Sequence, residues 1–239
     1  MEFPRPAYRR VLLKLSGEAL AGARGTGLDF QIMSSVCAAV KECLSLGVEV
    51  GIVVGAGNFW RGAKDGGGHM ERTRADYMGM LATVMNCLAL SDVFDQQGVD
   101  ARVQTALSIQ AAAEPYSPRT ANAHLQKGRV VLLGCGTGSP FFSTDTGAVL
   151  RAVELHADVI LLAKNVDGVY SADPKKDPTA TRFDSLGYDE VLARRLAVMD
   201  STATSLAMDN EIPVMVFALS DPQNIVRAVC GEKIGTLIQ

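Results

Sequence analysis

Close cysteine pairs are missing from this chain. Its five cysteines, Cys37, Cys43, Cys87, Cys135 and Cys230, are odd in number and scattered. None has the spacing of a zinc knuckle or a redox dithiol, so they read as buried or half-buried free thiols in a reducing compartment. The histidines, His69, His124 and His156, are dispersed, which argues against a histidine-rich metal site. No apolar run approaches the roughly 20 residues needed to cross a bilayer. Residues 1–10 are polar and rich in proline and arginine, without a signal-peptide core, so a cytoplasmic protein with no membrane partner is expected. A large excess of one charge is lacking too. With 23 Lys+Arg against 26 Asp+Glu, the net charge of -3 argues against a protein that coats nucleic acid, but leaves room for a local cationic pocket.

Two familiar nucleotide signatures are also absent. No G-x-x-x-x-G-K-[ST] run occurs, which excludes a P-loop enzyme. Gly55-Ala56-Gly57 meets Trp60, and Gly134-Cys135-Gly136 meets Ser139, where a dinucleotide fingerprint wants glycine. Hydride transfer on a Rossmann unit is therefore disfavoured.

What is present is a regular alternation. Residues 10–15 form a nearly continuous apolar run, as a strand buried on both faces requires. A glycine-rich loop follows, then a helix over 32–46, with Gly47 placed to end it, and a strand over 48–54. The pattern predicts helices at 76–94, 144–155, 201–209 and 221–229, and strands at 101–103, 129–133, 159–163 and 214–217. The 76–94 helix carries Met78, Leu81, Met85, Leu88 and Val93, and its 78–85 stretch reads as core rather than interface. Such alternation predicts one α/β domain over 1–239, with a mostly parallel sheet covered on both faces.

Ligands of open α/β sheets bind beyond the carboxyl ends of the strands. Three such ends carry glycine clusters, after Leu15, Val54 and Leu133. One cluster alone is an ordinary tight turn; three suggest a rim of bare backbone N–H groups for phosphate. Lys14 closes the first strand, where a lysine is costly unless its ammonium finds a partner or snorkels to water. Its functional reading is a cation aimed at phosphates beside the backbone of Ser16 and Gly17. Arg61 is placed to grip phosphate in bidentate fashion, or to be a solvated surface arginine. The stretch Thr137-Gly138-Ser139-Pro140-Phe141-Phe142-Ser143-Thr144-Asp145 joins mobile donors, two aromatics and an acid at a helix start. Capping and core packing explain parts of it; together they suit a base, a sugar and an acid that organises a lysine.

Long strings then match a known family. Lys14-Leu15-Ser16-Gly17-Glu18-Ala19-Leu20, Gly57-Asn58 with Arg61-Gly62, and Asp76 before Met78-Gly79-Met80-Leu81-Ala82-Thr83 closely resemble the bacterial uridine monophosphate kinases. So do Gly136-Thr137-Gly138 through Asp145, and Val166-Asp167-Gly168-Val169-Tyr170 with Ala172-Asp173-Pro174. The resemblance covers essentially the whole chain. It implies the amino acid kinase fold, a three-layer α/β/α sandwich, and transfer of the γ-phosphoryl of ATP to UMP with Mg²⁺ held mainly by the nucleotide phosphates.

By the same resemblance, Lys14, Leu15, Ser16 and Gly17 belong to the ATP phosphate site, and Gly57 and Arg61 to the reacting centre. Lys164, Asn165, Tyr170 and Asp173 meet ATP. Asp76 reads the uridine part of UMP, and Thr137, Gly138, Ser139, Pro140, Phe141, Phe142, Ser143 and Thr144 wall its site. Asp145 and Asp200 orient Lys14. The segment Gly22-Ala23-Arg24-Gly25-Thr26-Gly27 corresponds to the one for the activator GTP. The family also implies inhibition by UTP and a homohexamer built as a trimer of dimers. Ala56, counted as a UMP contact, stands where the family commonly has glycine, and Lys164-Asn165 lies where it varies. Two rivals are a carboxylate or carbamate kinase of the same fold, which needs no nucleoside-binding acid near Asp76, and a non-catalytic nucleotide-binding protein, which needs neither Lys14 nor Asp145.

Overall fold

The computed structural model describes residues 5–61, 65–66, 69–174, 176–196 and 198–239. Gly62 and the first four residues, used in the sequence reading, lie outside them. The chain builds one nine-stranded sheet: β1 Arg10–Leu15, β2 Glu49–Val54, β3 Ala101–Thr105, β4 Glu114–Pro115, β5 Val130–Gly134, β6 Val159–Lys164, β7 Ser185–Leu186, β8 Val214–Ala218 and β9 Thr236–Ile238. Their order across the sheet is β4-β3-β5-β2-β1-β6-β8-β9-β7. All pairings between these strands are parallel except that of β8 with β9.

β1 sits near the middle, and its side chains alternate between two cores. Val11, Leu13 and Leu15 pack toward α2 (Phe30–Ser45), α3 (Arg72–Gln96) and α8 (Asn224–Val229). Leu12 packs the other way, with α4 (Pro118–Leu125), α5 (Thr144–Glu154) and α7 (Ser201–Asp209). Helices thus cover both faces, giving the three-layer α/β/α sandwich of mostly parallel strands expected from the alternation. Removing a side chain such as Leu13, fully buried at 0% exposure, costs roughly 2–5 kcal/mol. Cys37, Cys43, Cys87 and Cys135 are buried free thiols and Cys230 is half-buried.

Several elements differ from the sequence reading. The loop after β1 begins as a short helix, α1 (Gly17–Ala21), because Ser16 accepts from Ala19 N with its Oγ and satisfies the first turn. α4, α6 (Tyr188–Ala193) and the short strands β4, β7 and β9 were not anticipated; they are too short for a periodic signal. α3 is longer than expected and, by length and composition alone, long and apolar enough to cross a membrane. Half of its most apolar stretch is buried inside this fold, which is the behaviour of a core helix. Its apolar residues occupy both faces, so the 78–85 stretch is core in part only. Met80, Val84, Leu90 and Phe94 are buried, whereas Met78, Leu81, Met85 and Leu88 are exposed. Of the five apolar residues named in the sequence only Val93 points inward.

Candidate active site

Parallel pairing sets the carboxyl ends of β1, β2 and β6 level, with Lys14 opposite Val53 and Leu162. Alternation turns Lys14 toward α5. Its buried Nζ lies 2.6 Å from Asp145 Oδ1, an oxygen with no other partner among the described residues. Asp145 is in the first turn of α5, where Ser143 Oγ accepts from the backbone N of Asp145 and Thr146. A carboxylate there also gains from the helix dipole. Lys164 closes β6 and donates from Nζ to Val198 O. Burial pushes its pKa down, a tendency that Asp145 opposes and Lys14 reinforces. Two ammonium groups, of Lys14 and Lys164, thus stand at this edge beside the Asp145 carboxylate, where an anionic ligand can meet them.

Asp200 is positioned differently from its expected role. Its carboxylate accepts from Ser143 Oγ, from Thr146 Oγ1 at 3.2 Å and from Ala203 N at 3.0 Å. It therefore joins the starts of α5 and α7, and among the described residues it forms no ion pair with Lys14.

The glycine turns pack so closely against one another that Gly17 has no room for a side chain. A Cβ on Gly17 would fall 2.5 Å from Asn58 Oδ1, 2.6 Å from Gly57 N and 2.7 Å from Gly55 O. A Cβ on Gly57 would fall 2.8 Å from Glu18 Oε1. Ala56, between these glycines, is half-buried. Arg61 lies at the mouth of the turn, its guanidinium on Glu18 and its N donating to Asp65 Oδ2 at 2.7 Å. That surface ion pair is an alternative partner to the phosphate expected from the sequence.

The stretch after β5 is conformationally costly. Cys135 and Phe141 have φ of 65° and 71°, and Gly136 and Gly138 are also left-handed. Each non-glycine residue held there costs about 1–3 kcal/mol, a cost met at built sites. Thr83 Oγ1 accepts from Cys135 N at 2.8 Å, and the buried Arg151 donates to Gly136 O at 3.0 Å. At the far end Phe141 N donates to Asp76 Oδ2 at 2.9 Å. Arg72 Nε reaches both Asp76 oxygens at 2.8 Å and its guanidinium lies 5.5 Å from the Phe141 ring centre. Asp76 is thus tied to the 137–144 wall. Phe141 and Phe142 are 67% and 52% exposed, so neither is a core residue.

Beyond Lys164, a cleft of about 400 Å³ is lined by Val166, Tyr170, Asp173, Pro174 and Leu196 among others. Tyr170 OH donates to Asp167 Oδ1 at 2.8 Å and Arg182 pairs with the other oxygen at 2.9 Å. Lys164 opens on this cleft, while Asn165 lines a separate hollow with Gly22, Gln31 and Ser220. The 22–27 segment borders the glycine turn, with Gly22–Arg24 in a 3₁₀ turn.

Sequence reasoning overlooked Arg151, Arg72 and Asn86, and quoted Thr83 only within a matching string without a role. Only Arg151 left a signal, a charged residue within an apolar helical stretch. Arg72 pairs with Asp76 one helical turn away, an ordinary surface spacing, and Asn86 serves through partners distant in sequence.

Lysines and close-packed glycine turns, at the carboxyl edge of a sandwich whose sequence has no P-loop, are the arrangement that a phosphotransferase of non-P-loop type requires. The amino acid kinase family model matches residues 9–218, and the chain belongs to that family. Solved structures agree. UMP kinase from Bacillus anthracis is 39% identical, with a TM-score of 0.93 over 97% of this chain and 96% of that one. UMP kinase from Ureaplasma parvum is 33% identical, with a TM-score of 0.91 over 97% and 98%. Uridylate kinase from Archaeoglobus fulgidus is 30% identical, with a TM-score of 0.76 over 96% and 99%.

Proposed function

We propose that this chain is a UMP kinase, a single domain over 1–239 that transfers the γ-phosphoryl group of Mg²⁺-bound ATP to UMP. The observation that carries the reading is the Lys14–Asp145 pair, level with the glycine turns at Gly17 and Gly55–Gly57. A UMP phosphate oxygen attacks the γ-phosphorus, the bond from that phosphorus to the β,γ-bridging oxygen breaks, and ADP leaves with that electron pair. UMP phosphate is largely dianionic near neutral pH, so a strong general base is not required. Positioning and charge neutralisation are what the protein must supply. Lys14 stabilises the charge shared among the equatorial oxygens, held in place by Asp145. Arg61 exchanges Glu18 for phosphate, and backbone N–H groups of Ser16, Gly17 and Gly57 complete the cradle. ATP lies along Leu15 with its adenosine in the cleft of Lys164, Tyr170 and Asp173, and Asn165 stands outside it. UMP lies between Ala56, Asp76 and the 137–144 wall.

Regulation and assembly belong to the same reading. GTP activates through the 22–27 segment and UTP inhibits. The exposed stripe of Met78, Leu81, Met85 and Leu88 on α3 supports a homo-oligomer; the hexameric state and the cytoplasmic location rest on the family resemblance alone. No nucleic acid is required. Coupled ADP release, with UMP, CMP, aspartate, acetylglutamate and carbamate compared with and without GTP, tests the assignment. Turnover restricted to UMP is expected. Turnover on a carboxylate or carbamate alone identifies the sibling kinase, and nucleotide binding without turnover identifies the non-catalytic protein.

A further inference from the structure

Two buried asparagines sit where three segments meet. Asn58, in the glycine turn after β2, and Asn86, in the middle of α3, are 3% and 0% exposed. Their amides pair reciprocally, Asn58 Nδ2 to Asn86 Oδ1 at 2.8 Å and Asn86 Nδ2 to Asn58 Oδ1 at 2.9 Å. Each amide nitrogen serves a second acceptor. Asn86 Nδ2 donates to Gly55 O at 2.8 Å and Asn58 Nδ2 donates to Gly27 O at 2.8 Å. The backbone closes the ring, with Gly27 N donating to Asn58 O at 3.0 Å. Asn58 Oδ1 also lies 2.5 Å from where a Gly17 Cβ would be, so the start of α1 packs closely on the same amide.

From this arrangement we infer that Asn86 is a positioning residue for the phosphate turn, acting through Asn58, and that the pair fixes the 22–27 segment to that turn. A buried amide with its hydrogen bonds satisfied has one low-energy orientation, because any rotation leaves polar atoms unpaired in a dry site. Gly27 cannot move away without breaking both of its bonds to Asn58. Asn58 in turn cannot shift without disturbing Gly55 and Gly17, which face the reacting phosphates in the reading above. The pair is therefore the physical link between the exposed loop and the transfer site, anchored to α3. The inference rests on that reading of the turn as the phosphate site.

The full-length protein, Asn86→Ala and Asn86→Asp separate this role from simple packing. Asn86→Asp keeps size and shape but turns a carboxylate oxygen toward two acceptors, Gly55 O and Asn58 Oδ1. Steady-state kinetics and hydrogen exchange of a peptide spanning 22–28 are the readouts. Both variants are expected to lose kcat by about tenfold or more, with a smaller change in KM for UMP, and to exchange the Gly27 amide about tenfold faster. Parental kcat in Asn86→Asp with loss only in Asn86→Ala overturns the positioning role, since packing alone then suffices. Unchanged exchange over 22–28 overturns the link. If Asn86→Asp does not fold, Asn86→Ser replaces it; a hydroxyl restores one donor, so kcat above that of Asn86→Ala is expected and kcat no better is contrary. If the parent protein does not turn over UMP, the functional reading fails by itself, and the exchange measurement still decides the link.

Discussion

Lys14 Nζ and Asp145 Oδ1 meet at 2.6 Å across the gap between the central strand and the first turn of α5. The pair is largely buried, so the lysine is aimed rather than free to sweep. Replacing Lys14 with methionine keeps the apolar stem and removes the charge. Turnover is expected to fall about 100- to 1,000-fold, with UMP affinity by calorimetry changed far less. Equal loss of UMP affinity, with turnover per bound complex intact, would contradict the assigned role. Asp145→Asn is expected to cost less than Lys14→Met, because the cation survives and only its aim is lost.

Asp76 receives Phe141 N and both branches of its contact with Arg72. Asp76→Ala releases the wall at a residue whose backbone is already left-handed. KM for UMP is expected to rise by about tenfold or more, equivalent to about 1.4 kcal/mol, while KM for ATP stays close to parental. A parallel rise in both constants would show that Asp76 supports the whole site rather than the UMP side.

Steric contrast between two glycines gives a stability test. A Cβ on Gly17 meets three polar atoms within 2.7 Å, two of them backbone, whereas one on Gly187 meets nothing within 4 Å. Gly187 has φ of -79°, which any residue adopts. Gly17→Ala is expected to destabilise by about 1–3 kcal/mol or more and to abolish turnover. Gly187→Ala should leave both unchanged within about 0.5 kcal/mol. Denaturant melts of the two variants settle the point, and a fully active Gly17→Ala would remove the case for a close-packed cradle.

Lys164 supplies a pH test. Its folded-state pKa is lowered from 10.5, first by burial, so the unfolded chain binds the proton more readily. Between the two values stability rises with pH, and below the folded value the penalty of the buried charge is fully present. Lys164→Met is therefore expected to gain stability relative to the parent at pH 7, with the gain shrinking as the pH approaches 10.5. Urea melts across that range should show it; a difference independent of pH would point to lost contacts with Val198 instead.

Local pattern carried the architecture a long way. Continuous apolar runs such as Val11-Leu12-Leu13 demand a strand covered on both faces, and the intervening helices dictate parallel neighbours. The predicted strand at 10–15 and helix at 201–209 coincide with the observed elements, because strong periodicity and a capping Asp200 define them locally. α3 was legible as a helix but not in its orientation, since apolar residues on both faces give no preferred side.

What the linear order of residues determined by itself is the set of elements, the glycines that keep strand ends bare, and the strings that place the chain in its family. Only the tertiary structure decided which polar groups meet. Asp145 finds Lys14, Phe141 N finds Asp76, Arg151 holds Gly136, and Asn86 pairs with Asn58, all across large separations in sequence. Such meetings leave no periodic trace, because a buried hydrogen bond depends on distance and angle between elements that must first be packed.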